Sequence, residues 1–326
     1  MVDESPAPHG TEAPVAARRV ALFGAASRLR LTDRLPEVID AERPPAGASA
    51  ALLVQFGYLG FSARTGELRS LTALHLLIEA AVTGAAVPAW ARRDGRFVDP
   101  LRPWVEPDGL DSAEDVAALQ AHHLAAVRHA LTNATEVMLV LDGALSGRDA
   151  ETGAACGFVP DSRFPDSLRA RIQPVTPDLD ALDATFAALW QGLRRLNPTL
   201  RVTLVLAPVT PGETPARSRQ QQLIQLRVLV DEWVWRYPDV GYLPLWDVSL
   251  AQSCGATEDS ASWAQAAALL ATPPVARSAE AGDDGADPAA EVPATPRLTR
   301  AERRAGKRKA AAATVCEDEL LDAFSR

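Results

Sequence analysis

An α/β domain with a central parallel sheet and helices on both faces, covering residues 18–270, is the fold class this 326-residue sequence predicts. Short unbroken apolar runs such as Val20-Ala21-Leu22-Phe23 and Val137-Met138-Leu139-Val140-Leu141 suit strands buried on both sides, as parallel strands are. Stretches of helical period stand between such runs, and this alternation builds parallel sheets. The composition agrees: 47% hydrophobic residues supply a sizeable core, while 6% aromatics leave alanine to favour close helix packing.

The elements follow in order. Val20 to Phe23, closed by Gly24, is the first strand, and Ala25 to Leu35 continues as a helix. Ala51 to Phe56 reads as a second strand, and the glycines 57, 60 and 66 after it as a loop. Leu71 to Ala81 places Leu74, Leu77, Ile78 and Ala81 on one helical face. A turn at Pro107-Asp108-Gly109 precedes a helix from Ser112, with Asp115 three residues on as its capping partner. Leu119, His123, Ala126, Val127 and Ala130 form its inner face, and Val137 to Leu141 is the central strand. Gly143 to Gly157 reads as loop, Leu179 to Leu196 as helix, and Arg201 to Leu206 as strand. Arg217 to Arg236 is a long helix in which Trp233 and Trp235, two apart, point in different directions, and Val240 to Trp246 is the last strand.

The flanks differ in kind. Residues 1–17 carry too little apolar surface to offset the entropy of ordering, and lack the charged and apolar regions of a signal peptide. Residues 271–296 are a linker rich in Pro, Ala, Ser and acids. RLTRAERRAGKRK follows, with seven basic residues against one acid, and CEDELLDAF closes the chain as a short amphipathic helix. A net charge of -9 speaks against a nucleic-acid footprint over the whole domain, so any basic contact is local. Cys156, Cys254 and Cys316 lie far apart and lack metal spacing, which reads as free thiols in a reducing compartment. With no apolar run of bilayer length, a cytoplasmic location is expected.

Few motifs carry chemistry. Gly57 and Gly60 form no phosphate cradle, no nucleotide or metal cofactor is called for, and Asp231-Glu232 reads as a solvated helix face. Asp142-Gly143, after the central strand, can orient a base or a sugar hydroxyl, or simply make a turn.

Four segments in order, GELRSLTALHLLIEAA, GRFVDPLRPWVEPDGLDSAEDVAALQAHHLAAVRHAL, LNPTLRVTLVLAPV and YPDVGYLPLWDV, resemble the GSCFA family of bacterial proteins, which is related to the SGNH hydrolases. The resemblance implies a flavodoxin-like three-layer α/β/α sandwich and kinship with serine esterases and acyltransferases. It also implies a Gly-Ser-Cys-Phe-Ala run after the first strand, where this chain has Gly24-Ala25-Ala26-Ser27-Arg28. Alanine offers neither oxygen nor sulfur, and Ser27 is displaced along the turn, where a hydroxyl also serves as a helix cap. A family segment of the kind Thr-Leu-Gly-Leu-Thr-Glu is replaced by Val140-Leu141-Asp142-Gly143-Ala144-Leu145. The late Asp-X-X-His of the hydrolases has no counterpart: His9, His75, His122, His123 and His129 are all early.

The expected site is therefore lined by Gly24, Ala25, Ala26, Asp142, Gly143 and Pro208, with no catalytic set intact. The leading expectation is a degenerate member retained for binding a glycan or acyl ester, or for a protein interaction. One alternative is a working ester hydrolase or O-acyltransferase on a carbohydrate or lipid ester, using Ser27 with His75 or His123. Another is an adaptor that docks on a protein partner through Arg297 to Arg326.

Overall fold

The computed structural model describes residues 18–25, 38, 39, 47, 49, 51, 53, 58, 61–106, 108–208 and 217–253. The chain divides into two compact units, Met1–Ser278 and Ala279–Arg326, and every described residue belongs to the first. The readings of residues 1–17, of the linker, the basic run and the terminal helix, and of Cys254 and Cys316, lie outside the described residues.

Four strands, β1 (Val20–Gly24), β4 (Glu136–Leu141), β8 (Arg201–Leu206) and β9 (Val240–Leu243), form a parallel sheet in the order β1-β4-β8-β9. The register pairs Phe23 with Leu139 and Leu139 with Leu204, so side chains of one parity meet across the sheet. Ala21, Phe23, Val137, Leu139, Leu141, Leu204 and Leu206 enter one cluster, and Val20, Leu22, Met138, Val140 and Val205 a second. Burial on both faces is what unbroken apolar strands require, and each large side chain so removed from water is worth about 1.5–3 kcal/mol. The result is the expected α/β class, a parallel sheet flanked by helices in three layers.

The larger cluster is covered by α1 (Leu71–Thr83), α2 (Ala113–Asn133), α4 (Leu179–Leu196) and α5 (Arg217–Arg236). Their starts are local chemistry: Ser70, Ser112 and Asp178 accept hydrogen bonds from the N–H groups of Ala73, Asp115 and Ala181. The Ser112 hydroxyl also donates to the Asp115 carboxylate, as its spacing predicts. In α5, Trp233 is fully buried while Trp235 is 72% exposed. α6 (Leu245–Ser253) follows β9, and its Leu245 joins the smaller cluster.

Three expectations are corrected. Ala51 and Leu53 are helical, with the Leu53 N–H donating to the Ser49 carbonyl, so the described residues of the expected strand from Ala51 to Phe56 are not strand. A short apolar run has no period that separates strand from buried helix. The last strand stops at Leu243, because Pro244 has no N–H to extend the ladder, and Leu245 onward is helix rather than strand through Trp246. Gly143 to Gly157 is not simply loop. Within it β5 (Ser146–Asp149) pairs antiparallel with β6 (Ala155–Cys156), and on its other side with β7 (Ile172–Val175), which follows the short helix α3 (Asp166–Arg171). A further small hairpin joins β2 (Trp90–Ala91) to β3 (Phe97–Val98), and the Gly109 N–H closes the expected turn on the Glu106 carbonyl.

Candidate site at the ends of β1 and β4

All four parallel strands run the same way, so Gly24, Asp142-Gly143, Ala207-Pro208 and Pro244 collect along one edge of the sheet. Val38 bridges Val20 in parallel on the far side of β1. The chain thus reverses its order of strand addition between β1 and β4, and ligands of open α/β sheets bind beyond the strand ends at such a point.

β1 presses hard against β4 here. Gly24 has φ +108°, and a Cβ on it would lie 2.1 Å from the Val140 carbonyl oxygen. The Ala25 N–H donates to that same oxygen at 2.8 Å, and Ala25 is fully buried. Ala26 and Ser27 lie outside the described residues.

The segment from Phe61 to Ser70 then crosses the strand ends. The Ser62 hydroxyl accepts from the Leu22 N–H at 2.9 Å and donates to the Ile39 carbonyl at 2.6 Å, completing the far side of β1. Ala63 and Arg64 both sit at positive φ, 57° and 51°, in a buried turn. Such backbone costs on the order of 1–3 kcal/mol and persists only where its surroundings hold it. The Leu68 N–H donates to the Gly24 carbonyl at 3.3 Å, the Asp142 N–H donates to the Arg69 carbonyl at 3.0 Å, and Ser70 bridges Gly143. Leu68, whose N–H closes the end of β1, is fully buried in the cluster that holds Phe23.

α5 fills the adjoining space. Asp142 is 6% exposed and takes a hydrogen bond from Arg219 Nε at 2.7 Å, forming a partly buried ion pair. Gln222 Oε1 accepts from the backbone N–H groups of Ala144 at 2.9 Å and Leu145 at 3.1 Å. Two successive N–H groups converging on one oxygen is the arrangement that stabilises an oxyanion, and here the oxygen belongs to the chain's own amide. Gly143 permits it, since a Cβ there would lie 2.8 Å from Gln222 Oε1. Pro208 is buried beside Ala207, whose N–H donates to the Leu141 carbonyl at 2.7 Å.

Of the histidines, only His123 bonds to the segment that crosses this edge among the described residues. His75, on α1, faces Glu79 at 3.7 Å in a groove against α4, beside Gln191 and Arg195, and burial lowers its pKa. His129 contacts Asn133 on its own helix. His123 is fully buried, and its Nδ1 lies 3.0 Å from the Ala63 carbonyl. A carbonyl only accepts, so Nδ1 carries the proton and Nε2 is a bare lone pair, buried and without a hydrogen-bond partner among the described residues. Among the described residues no hydroxyl or thiol is hydrogen-bonded to a histidine. Cys156 is half-buried in β6, and burial raises its thiol pKa, which suppresses the thiolate a nucleophile needs. Among the described residues no group of three or more His, Cys, Asp or Glu is placed to hold a metal ion, and no helix is long and apolar enough to cross a membrane.

The state of His123 has a measurable consequence. Burial first, then the nearby positive charge of Arg102, pushes its pKa well below 6.5. The unfolded histidine binds a proton below about pH 6.5 that the folded one refuses, so its contribution is fully present above that pH and is lost as pH falls through it. Stability is expected to drop by up to about 1.4 kcal/mol per pH unit on this account. Urea midpoints between about pH 7.5 and 5.5 should flatten in His123→Leu relative to the wild type.

Asp142, Gly143, Gly24, Ala25 and Pro208, expected together from sequence, do gather at one edge. Sequence reasoning missed Leu68, Arg219 and Gln222, which come from a presumed loop and from the start of a helix. The run Gln220-Gln221-Gln222 gave no hint of which amide turns inward.

With the geometry in place, a family model described as the GSCFA family matches residues 71–266. The match begins after β1 and takes in α1, β4, β8, α5 and β9. No curated protein and no solved structure matches the chain.

Proposed function

The chain belongs to the GSCFA family, and from that premise we propose that it is a member without hydrolase chemistry, retained for a protein interaction. One observation carries the reading: at the ends of β1 and β4 the Gly24 carbonyl takes the Leu68 N–H, Asp142 is paired with Arg219, and the two N–H groups that could hold an oxyanion are bonded to Gln222. A related argument comes from the residues at Ala25 and Ala26, which lack the hydroxyl or thiol of the family's Ser-Cys positions. In a serine protease the nucleophile and the base act as a unit, and loss of either costs about a million-fold in turnover; a serine esterase would depend on the same pair. A filled oxyanion position removes the weak acceleration that would otherwise survive.

The same observation disfavours a glycan or acyl ester held in this crevice, and leaves the outer surfaces as the working part of the molecule. The expected result is that purified protein hydrolyses short acyl nitrophenyl esters no faster than the variant Ser27→Ala. A rate above buffer that Ser27→Ala abolishes, with the variant still folded by circular dichroism, would overturn the proposal and restore the hydrolase.

A further inference from the structure

The helix α5 is apolar on two opposite sides, and among the described residues the core packs against one of them. At 100° per residue, Leu223, Leu226, Leu229, Val230 and Trp233 point inward and are fully buried. Ile224, Val228 and Trp235 point the opposite way and are 49%, 52% and 72% exposed. They lie within about 20° of one line along the helix, over a rise of about 16 Å. Arg217, also exposed, falls on the same line five turns before Trp235. Two β-branched residues and a tryptophan have no local task on a solvated helix face, where straight-chain polar residues form helix better.

We propose that this face is the contact between two copies of the chain, packed α5 against α5 in antiparallel fashion about a two-fold axis. The argument for a second copy rests on self-complementarity. With the axis at the level of residue 226, between Ile224 and Val228, Ile224 of each copy meets Val228 of the other. Trp235 of each copy then meets Arg217 of the other, a guanidinium over an indole face. Charge agrees with that register. Asp231 and Glu232, with side chains 69% and 44% exposed, lie toward the C-terminal half, one turn before Trp235. The antiparallel pairing brings them beside Arg217 of the other copy and opposes the two helix dipoles. A parallel pairing would instead set acid beside acid. The isologous contact is the commonest kind in soluble oligomers, and α5 arrives ordered because its inner face is already packed.

A two-helix contact lies at the small end of the interface scale, so the dimer is expected to be concentration-dependent, with Kd on the order of micromolar. The inference stands independently of how the strand ends are read. Analytical ultracentrifugation of the full chain, from about 1 to about 200 µM, should show the weight-average mass rising from 34.7 kDa toward twice that value. Val228→Glu and Trp235→Glu should each hold the chain at the monomer mass with unchanged circular dichroism, and Arg217→Glu should weaken the dimer several-fold. A wild type that stays monomeric throughout overturns the proposal, as does a dimer that survives both glutamate variants. A monomer in which acrylamide fails to reach Trp235, judged against Trp235→Phe, until Leu321→Asp bares it would assign the face to the chain's own terminal segment and equally overturn the second copy.

Discussion

Gly24→Ala is expected to destabilise the domain by about 2–6 kcal/mol, the sum of a left-handed backbone strain of about 1–3 kcal/mol and an overpacking cost of about 1–3 kcal/mol. The added Cβ would have to displace the Val140 carbonyl, and with it the pairing of β1 to β4. That carbonyl also receives the Ala25 N–H, so a shift loosens the hydrogen bonding on which the site edge rests. Gly84→Ala is the control. Gly84 has φ +70° at the end of α1, and a Cβ added there would meet nothing within 4 Å. It should suffer only the backbone strain, about 1–2 kcal/mol. Equal losses for the two variants in urea denaturation would show that close approach of β1 and β4 contributes nothing at Gly24.

Trp233→Ala should cost about 3–5 kcal/mol as a large buried side chain removed from the core. The indole stacks on Phe186 with ring centroids 4.1 Å apart and an interplanar angle of 14°. Its Nε1–H donates to Asp183 Oδ1 at 2.9 Å, and Arg236 bonds the same carboxylate. Truncation therefore opens a cavity and strips one donor from Asp183. Trp235→Ala, two residues on, should change the stability of the monomer by no more than about 0.5 kcal/mol, because the side chain is largely in solvent. Thermal denaturation of both variants at low protein concentration separates the fold's use of α5 from any use of its outer face.

Much of the frame is legible in the order of residues alone. The strands at Val20 and Val137 are readable because unbroken apolar runs have one comfortable home, a sheet covered on both sides, and the strand at Arg201 because its apolar run is broken only by the β-branched Thr203. The caps at Ser112 and the two-faced tryptophans of α5 are readable because they depend on spacing within a single helix. The β5–β6–β7 sheet was not readable, since strands of two to four residues carry no measurable period. Ala51 and Leu53 misled for a related reason: their run is apolar in any conformation. At the site, the glycine and aspartate that mark strand ends were found by position along the chain. The groups that meet those ends were not, because Leu68 and Gln222 are ordinary residues until the chain is folded.

The α/β class, the principal strands and helices, the alanines at positions 25 and 26, and the resemblance to the family are written in residue order, because each of these is a property of residues close together in the chain. What meets the ends of β1 and β4 is set by folding, which brings the Leu68 N–H to Gly24 from 44 positions away and Gln222 to the strand end from 80 positions after Asp142. Burial of a leucine, pairing of an aspartate and occupation of two N–H groups are contacts between distant segments, and local pattern carries no record of them.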